Sequence, residues 1–150
     1  MTKFVSPPSP NTERQPPLNT ARSLKDVIND PDLSLPESQR GPLQILLGVI
    51  DTPFYQRRDA LTVDLKADNM LVVGSQSTGR STLLQTLIMS AASTHDSTQI
   101  QFYCLDFSSG KLGELEDLAH VGSVATKNEP EKVSRTIAEM TAIWNRRERL

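Results

Sequence analysis

Gly74 and Gly79 bracket Ser75, Gln76, Ser77 and Thr78, and Arg80, Ser81 and Thr82 follow directly. This is the spacing G-x-x-x-x-G-K-S/T of a phosphate-cradling P-loop, met at every demanded position except one. Arg80 stands where the phosphate-binding lysine belongs. The two glycines let the backbone curl so that successive N–H groups turn inward. The positive end of a helix beginning near Arg80 then faces the same anion. On this reading the N–H groups from Ser77 to Thr82 hold the α and β phosphates of ATP, and the Ser81 hydroxyl is set for a magnesium ion, Mg2+. Gly74, Ser75, Gln76, Ser77, Thr78, Gly79, Arg80, Ser81 and Thr82 are thus the candidate cofactor-binding residues, Ser81 is the candidate metal contact, and no residue is assigned a catalytic role.

Arg80 keeps a positive charge but spreads it over a planar fork on a longer stem. Binding tolerates that change better than catalysis does, because a misplacement of about 1 Å in a transition-state contact can cost roughly a hundredfold in rate. The expectation is nucleotide binding with weak or absent intrinsic hydrolysis.

Elements on either side must position the loop. Asn69 followed by the apolar run Met70–Val73 predicts a turn and a short strand entering it, and Leu83, Leu84, Leu87, Ile88 and Ala91 recur at helical spacing on the far side. Upstream, Leu43–Ile50 and the alternating Ala60–Leu65 predict a hairpin. Downstream, Gln99–Phe107 predicts a buried strand with Asp106 near its carboxyl end, where ligands gather in parallel sheets. Asp106 therefore sits where the motif alone would suggest a Walker B magnesium ligand, but Phe107 follows it in place of the acidic residue that hydrolytic enzymes carry. Ser108–Lys111 predicts a flexible turn, Leu112, Leu115 and Leu118 a short helix, and His120–Ala125 a further strand. Asn128 is placed as the cap of a last helix whose Val133, Ile137, Met140 and Trp144 form a core-facing stripe.

Composition limits the alternatives. The formal net charge is −2, and no long block of Lys and Arg points to nucleic acid. Cys104 is the single cysteine, so there is neither a disulfide framework nor a metal-ligand spacing, as fits a reducing cytoplasm. His95 and His120 read as satisfied loop histidines, and no run reaches the eighteen or so apolar residues of a membrane span. From Met1 to about Thr20 the chain carries Pro7, Pro8, Pro10, Pro16 and Pro17 among polar residues, which reads as an extended arm, and Leu24–Ile28 allows a turn or two of helix in a linker. Residues 1–40 are taken as arm and linker, and folding is expected from 41 to 150.

From about Pro42 onward the chain resembles the FtsK/SpoIIIE group of P-loop motors, and within it the EccC-type ATPase modules of type VII (ESX) secretion systems. The resemblance is carried by Leu47–Pro53 before Gln56-Arg57-Arg58-Asp59, Ser81–Leu87 after the loop, Gln101–Phe107, His120–Ala125 and Glu129–Val133. It implies an α/β fold, a RecA/FtsK-like P-loop NTPase domain with a parallel sheet core, of which this chain holds the N-terminal portion. It also implies that the strand ending at Asp106 precedes Walker B, so that Walker B lies beyond Leu150. Family modules stand in tandem and drive export of small helical-hairpin substrates. The resemblance accordingly implies an ATP-binding module of a protein-export motor, hydrolysing little by itself. The implied partners are another EccC-type ATPase module or chain and the exported substrate. No nucleic acid is implied, and a membrane is met only through the partner complex, at the cytoplasmic side. A non-catalytic interaction module is the alternative, a DNA translocase fragment a lesser one. Some later family modules have degenerate nucleotide sites that serve docking and regulation, a pattern that Arg80 matches.

Overall fold

The computed structural model describes residues 43–149, apart from 56, 68 and 109. The proline-rich arm and the linker helix expected before residue 43 lie outside the described residues.

An apolar run broken by Gly48 gives β1 (Gln44–Thr52) and an alternating stretch gives β2 (Arg57–Asp64), joined through a 3-10 turn at Pro53–Tyr55. They pair antiparallel, from Gln44 opposite Asp64 to Thr52 opposite Arg57, with a register shift between Leu46 and Gly48. The expected hairpin is therefore present. Its Ile45 is fully buried and packs in one cluster with Leu87, Ile88 and Ala91 of α1 (Arg80–Thr94), the helix that follows the P-loop. The helical spacing read from those leucines and isoleucines is thus the face that docks onto the hairpin.

The second sheet is β3 (Phe102–Asp106) beside β4 (Val121–Thr126), and these two strands are parallel. A parallel pair needs a crossover between its strands. Here the 3-10 helix Lys111–Leu115 lies in that connection and buries Leu112 and Leu115 against the same core. Gly122 leaves room in β4 for the Tyr103 ring on β3, which a Cβ there would approach to 2.7 Å and displace. Cys104 is buried in this core, and burial, followed by the nearby Asp106 charge, pushes its thiol up. That leaves it a packing residue with little thiolate character.

α2 (Pro130–Arg147) lies against β4, tied to it by the Ser123 and Thr136 hydroxyls at 2.9 Å. No helix among the described residues is long and apolar enough to cross a membrane.

The structure differs from what the sequence predicts at three places. Residues 69–75 carry no strand, and Leu71 and Val73 are 86% and 83% exposed. Among the described residues no strand lies beside that run, and an isolated extended segment has no ladder to satisfy its backbone. The stripe on α2 is not buried: Ile137, Met140 and Trp144 are exposed, Trp144 by 64%. The buried contact of this helix is Thr136, so the helix meets β4 through its small polar residues. Finally, the cap of α2 is Glu129, with Pro130 at the first helical position. The Glu129 carboxylate reaches backward and accepts from the Thr126 hydroxyl at 2.7 Å and the Thr126 amide at 3.2 Å, closing the turn out of β4.

Candidate functional site

The P-loop is built by two residues in the left-handed region, Ser77 at φ 63° and Gly79 at φ 89°. Alternation of right- and left-handed residues turns consecutive N–H groups toward one side and makes an anion-binding concavity. Gly79 takes this conformation at no steric cost, whereas Ser77 does so against the usual preference of a residue with a Cβ. Gly74 is needed for close approach: an added Cβ would stand 2.5 Å from Thr78 Oγ1. That hydroxyl donates to the Ser75 carbonyl at 2.8 Å, so Thr78 and Ser75 staple the loop from within. α1 then starts at Arg80, its first ladder bond running from the Leu83 amide to the Gly79 carbonyl at 2.8 Å. By helix geometry the amides preceding Leu83 in the first turn must find acceptors outside the helix.

These features open onto a cavity of about 540 Å³. Of the sequence candidates, Gln76, Ser77, Gly79, Arg80, Ser81 and Thr82 line it. Gly74, Ser75 and Thr78 do not; they shape the loop behind it. The volume lies within the roughly 300–1,000 Å³ of small-molecule sites. Residue types, loop conformation and helix start all fit a polyphosphate with its magnesium ion. Ser81, half-buried in the first turn of α1, has a hydroxyl of the kind that ligates magnesium in such sites.

Two further residues line the cavity that the sequence reading left in a flexible turn, Ser108 and Lys111. Their loop is pinned by Asp106, which is only 5% exposed. Its Oδ1 accepts from the Ser108 amide at 3.0 Å and from the Ser108 hydroxyl at 3.1 Å, and its Oδ2 accepts from the Leu112 amide at 3.2 Å. Burial alone would push this carboxyl up. The hydrogen bonds from the Ser108, Leu112 and Gly110 amides and the Ser108 hydroxyl outweigh burial and hold it below the ordinary carboxylate range. Asp106 thus clamps the loop, which accounts for an acid at the end of β3 without a Walker B role. The signal available in the sequence was the Asp-x-Ser spacing, an Asx-type turn, followed by Gly110, which adopts φ 72°.

His120 meets the His95 carbonyl through Nε2 at 2.9 Å, and His95 Nδ1 meets the Thr94 hydroxyl at 2.9 Å. Both are structural, as the sequence suggested. A larger groove of about 860 Å³ lies elsewhere, between the residues leading into β3 and the end of α2. Tyr103, Met140, Trp144 and Arg147 are among its lining residues. It has no curled backbone and no helix start, so the smaller cavity is the one suited to phosphate.

The FtsK/SpoIIIE family model matches residues 37–150. The chain is 42% identical over 137 residues to the ESX-1 secretion system protein EccCb1 of Mycolicibacterium smegmatis, covering 90% of this chain and 22% of that protein. It is 42% identical over 135 residues to the ESX-4 secretion system protein EccC4 of Mycobacterium tuberculosis, covering 89% of this chain and 10% of that one. Among solved structures, the cytoplasmic domain of the Thermomonospora curvata type VII secretion ATPase EccC aligns with a TM-score of 0.68 and 46% identity, over 73% of this chain and 13% of that chain. T. curvata EccC (ATPases 2 and 3), solved in complex with a signal sequence peptide, aligns with a TM-score of 0.68 and 43% identity, over 78% and 21% of the two chains. The chain therefore spans about a fifth or less of the relatives it matches.

Proposed function

Since the chain belongs to the FtsK/SpoIIIE family, we propose that it is a nucleotide-binding module of a type VII secretion motor, acting in protein export. The observation that carries this is the cradle itself: left-handed Ser77 and Gly79 and the start of α1 opening onto one cavity. In this reading the loop amides from Ser77 to Thr82 hold the phosphates of ATP, the Ser81 hydroxyl holds Mg2+, and Arg80 adds charge without reproducing the point contact of a lysine. Bound magnesium would neutralise phosphate charge. The chain's own part is to bind and orient, and little hydrolysis is expected of it alone. On this reading residues 41–150 are the N-terminal portion of the module, and residues 1–40 link it to a neighbouring one. Its partners are another EccC-type ATPase module or chain and an exported helical-hairpin substrate, met at the cytoplasmic face of the secretion complex.

The test is equilibrium titration of the full chain with a fluorescent ATP analogue, with and without magnesium, beside Ser81→Ala. Magnesium-dependent binding that weakens in Ser81→Ala is expected. Absence of binding by a folded sample would refute the reading. A second reading, an interaction module indifferent to nucleotide, draws on the exposed Ile137, Met140 and Trp144 of α2. It predicts partner binding unchanged by ATP and by Ser81→Ala.

A further inference from the structure

The cavity at the P-loop is lined by residues from two separate elements. Besides the cradle and the first turn of α1, the loop after β3 contributes Ser108 and Lys111. Among the described residues Arg80 and Lys111 are the charged groups of the lining, both cationic, and no acid lines it. An anion entering this space therefore meets two positive side chains, one from each wall.

Lys111 is also held in place. Its carbonyl accepts from Gln85 Nε2 at 2.9 Å, and Gln85 belongs to α1, the helix that begins at Arg80. The same Gln85 amide nitrogen reaches Glu114 Oε2 at 3.3 Å, so the 3-10 helix is fastened to α1 at Lys111 and again one turn later. From the other direction the Asp106 carboxylate holds the Ser108 and Leu112 amides that flank it. The backbone of Lys111 is thus indexed to the P-loop helix, while its ammonium takes part in no ion pair among the described residues. A lysine ammonium is a compact point charge on a flexible four-carbon stem, the character that the arginine fork at position 80 lacks.

We propose that Lys111 supplies the ammonium contact to the terminal phosphate of a bound nucleoside triphosphate, delivering from the β3 loop the charge that a P-loop lysine delivers from the position Arg80 occupies. This rests on the reading of the cradle as a nucleotide site. The curled amides serve the inner phosphates, and Lys111, coming from a different element, serves the outer one. The site is then selective for triphosphate over diphosphate, and Lys111 determines that selectivity.

The experiment titrates the full chain with fluorescent ATP and ADP analogues in the presence of magnesium, for the wild type, Lys111→Gln, Lys111→Arg and Ser81→Ala. A charge-assisted hydrogen bond to an open site corresponds to about a tenfold change in affinity. Lys111→Gln is expected to weaken ATP by about that factor and ADP by much less, with Lys111→Arg, which returns the charge but not the compact ammonium, recovering only part of the loss. The Gln85 bond is to the main chain of residue 111, so the thermal midpoint is expected to be unchanged. A merely structural role would lower both affinities together. Equal losses for ATP and ADP, or an ATP affinity unaltered in Lys111→Gln while Ser81→Ala weakens it, would overturn the assignment and leave the nucleotide site standing. No nucleotide binding by the folded wild type would overturn the assignment and the site together.

Discussion

Replacing Asp106 with asparagine separates two explanations of an acid at the end of β3. Asp106 is nearly buried, and its two oxygens accept three hydrogen bonds, from Ser108 N, Ser108 Oγ and Leu112 N. Asparagine keeps one oxygen, which can still serve Ser108, but it sets an N–H₂ group against the Leu112 amide. That amide is buried and loses its acceptor. Losing a hydrogen bond to a charged group costs about 1.5–3 kcal/mol, and the lower half applies because the bond to the Leu112 amide is long, at 3.2 Å, and the bonds to Ser108 can be kept. About 2 kcal/mol lowers the midpoint of thermal unfolding by roughly 10 °C for a domain of this size.

The pH dependence gives an independent reading. The folded Asp106 carboxyl lies below its unfolded value of about 3.9, so its contribution is fully present above that pH and fades as pH falls through the folded value. Asp96 and Glu129 are also held low, by bonds from Thr98 and from Thr126 respectively. The difference between wild type and Asp106→Asn isolates the Asp106 term: a gap in stability at neutral pH that narrows below about pH 4. The assay is thermal unfolding followed by circular dichroism between neutral and acid pH, together with ATP titration at several magnesium concentrations. A variant as stable as the wild type, whose binding no longer responds to magnesium, would show a metal ligand and refute the clamp.

Gly79→Ala should place a Cβ at φ 89° and cost about 1–2 kcal/mol of local strain, with a fall in ATP affinity measured by the same titration as the cradle opens. Ser90→Ala should raise stability by about 1 kcal/mol in chemical denaturation, since Ser90 Oγ is fully buried with no hydrogen-bond partner among the described residues; a destabilised variant would show that the hydroxyl is satisfied after all.

Much of this architecture was legible because it is local. Gly74 and Gly79, with the helical period that starts just after them, point to a curled loop, and the hairpin follows from the apolar run Leu43–Ile50 and the alternation in Ala60–Leu65. The leucines of α1 and the strands ending at Asp106 and Thr126 are likewise short-range patterns. What failed depends on partners distant in sequence. Met70–Val73 has the composition of a strand, yet pairing requires a neighbour that the described residues do not contain. Val133, Ile137, Met140 and Trp144 have a helical period, but the period says only that one face is apolar. Whether that face is covered depends on what packs there, and the buried contact of α2 runs through Thr136. Lys111 was missed for the same reason. Its place beside the cradle arises from a bond to Gln85, 26 residues away, and from the Asp106 clamp.

Hydrogen exchange of the full chain with and without ATP and magnesium tests the central claim most directly, because it locates the ligand as well as detecting it. Slower exchange is predicted at residues 77–82 and at 110–112, with residues 139–147 unchanged. Protection confined to the groove between Tyr103 and Trp144, or no change at the cradle under saturating nucleotide, would contradict the assignment of the P-loop cavity as the nucleotide site.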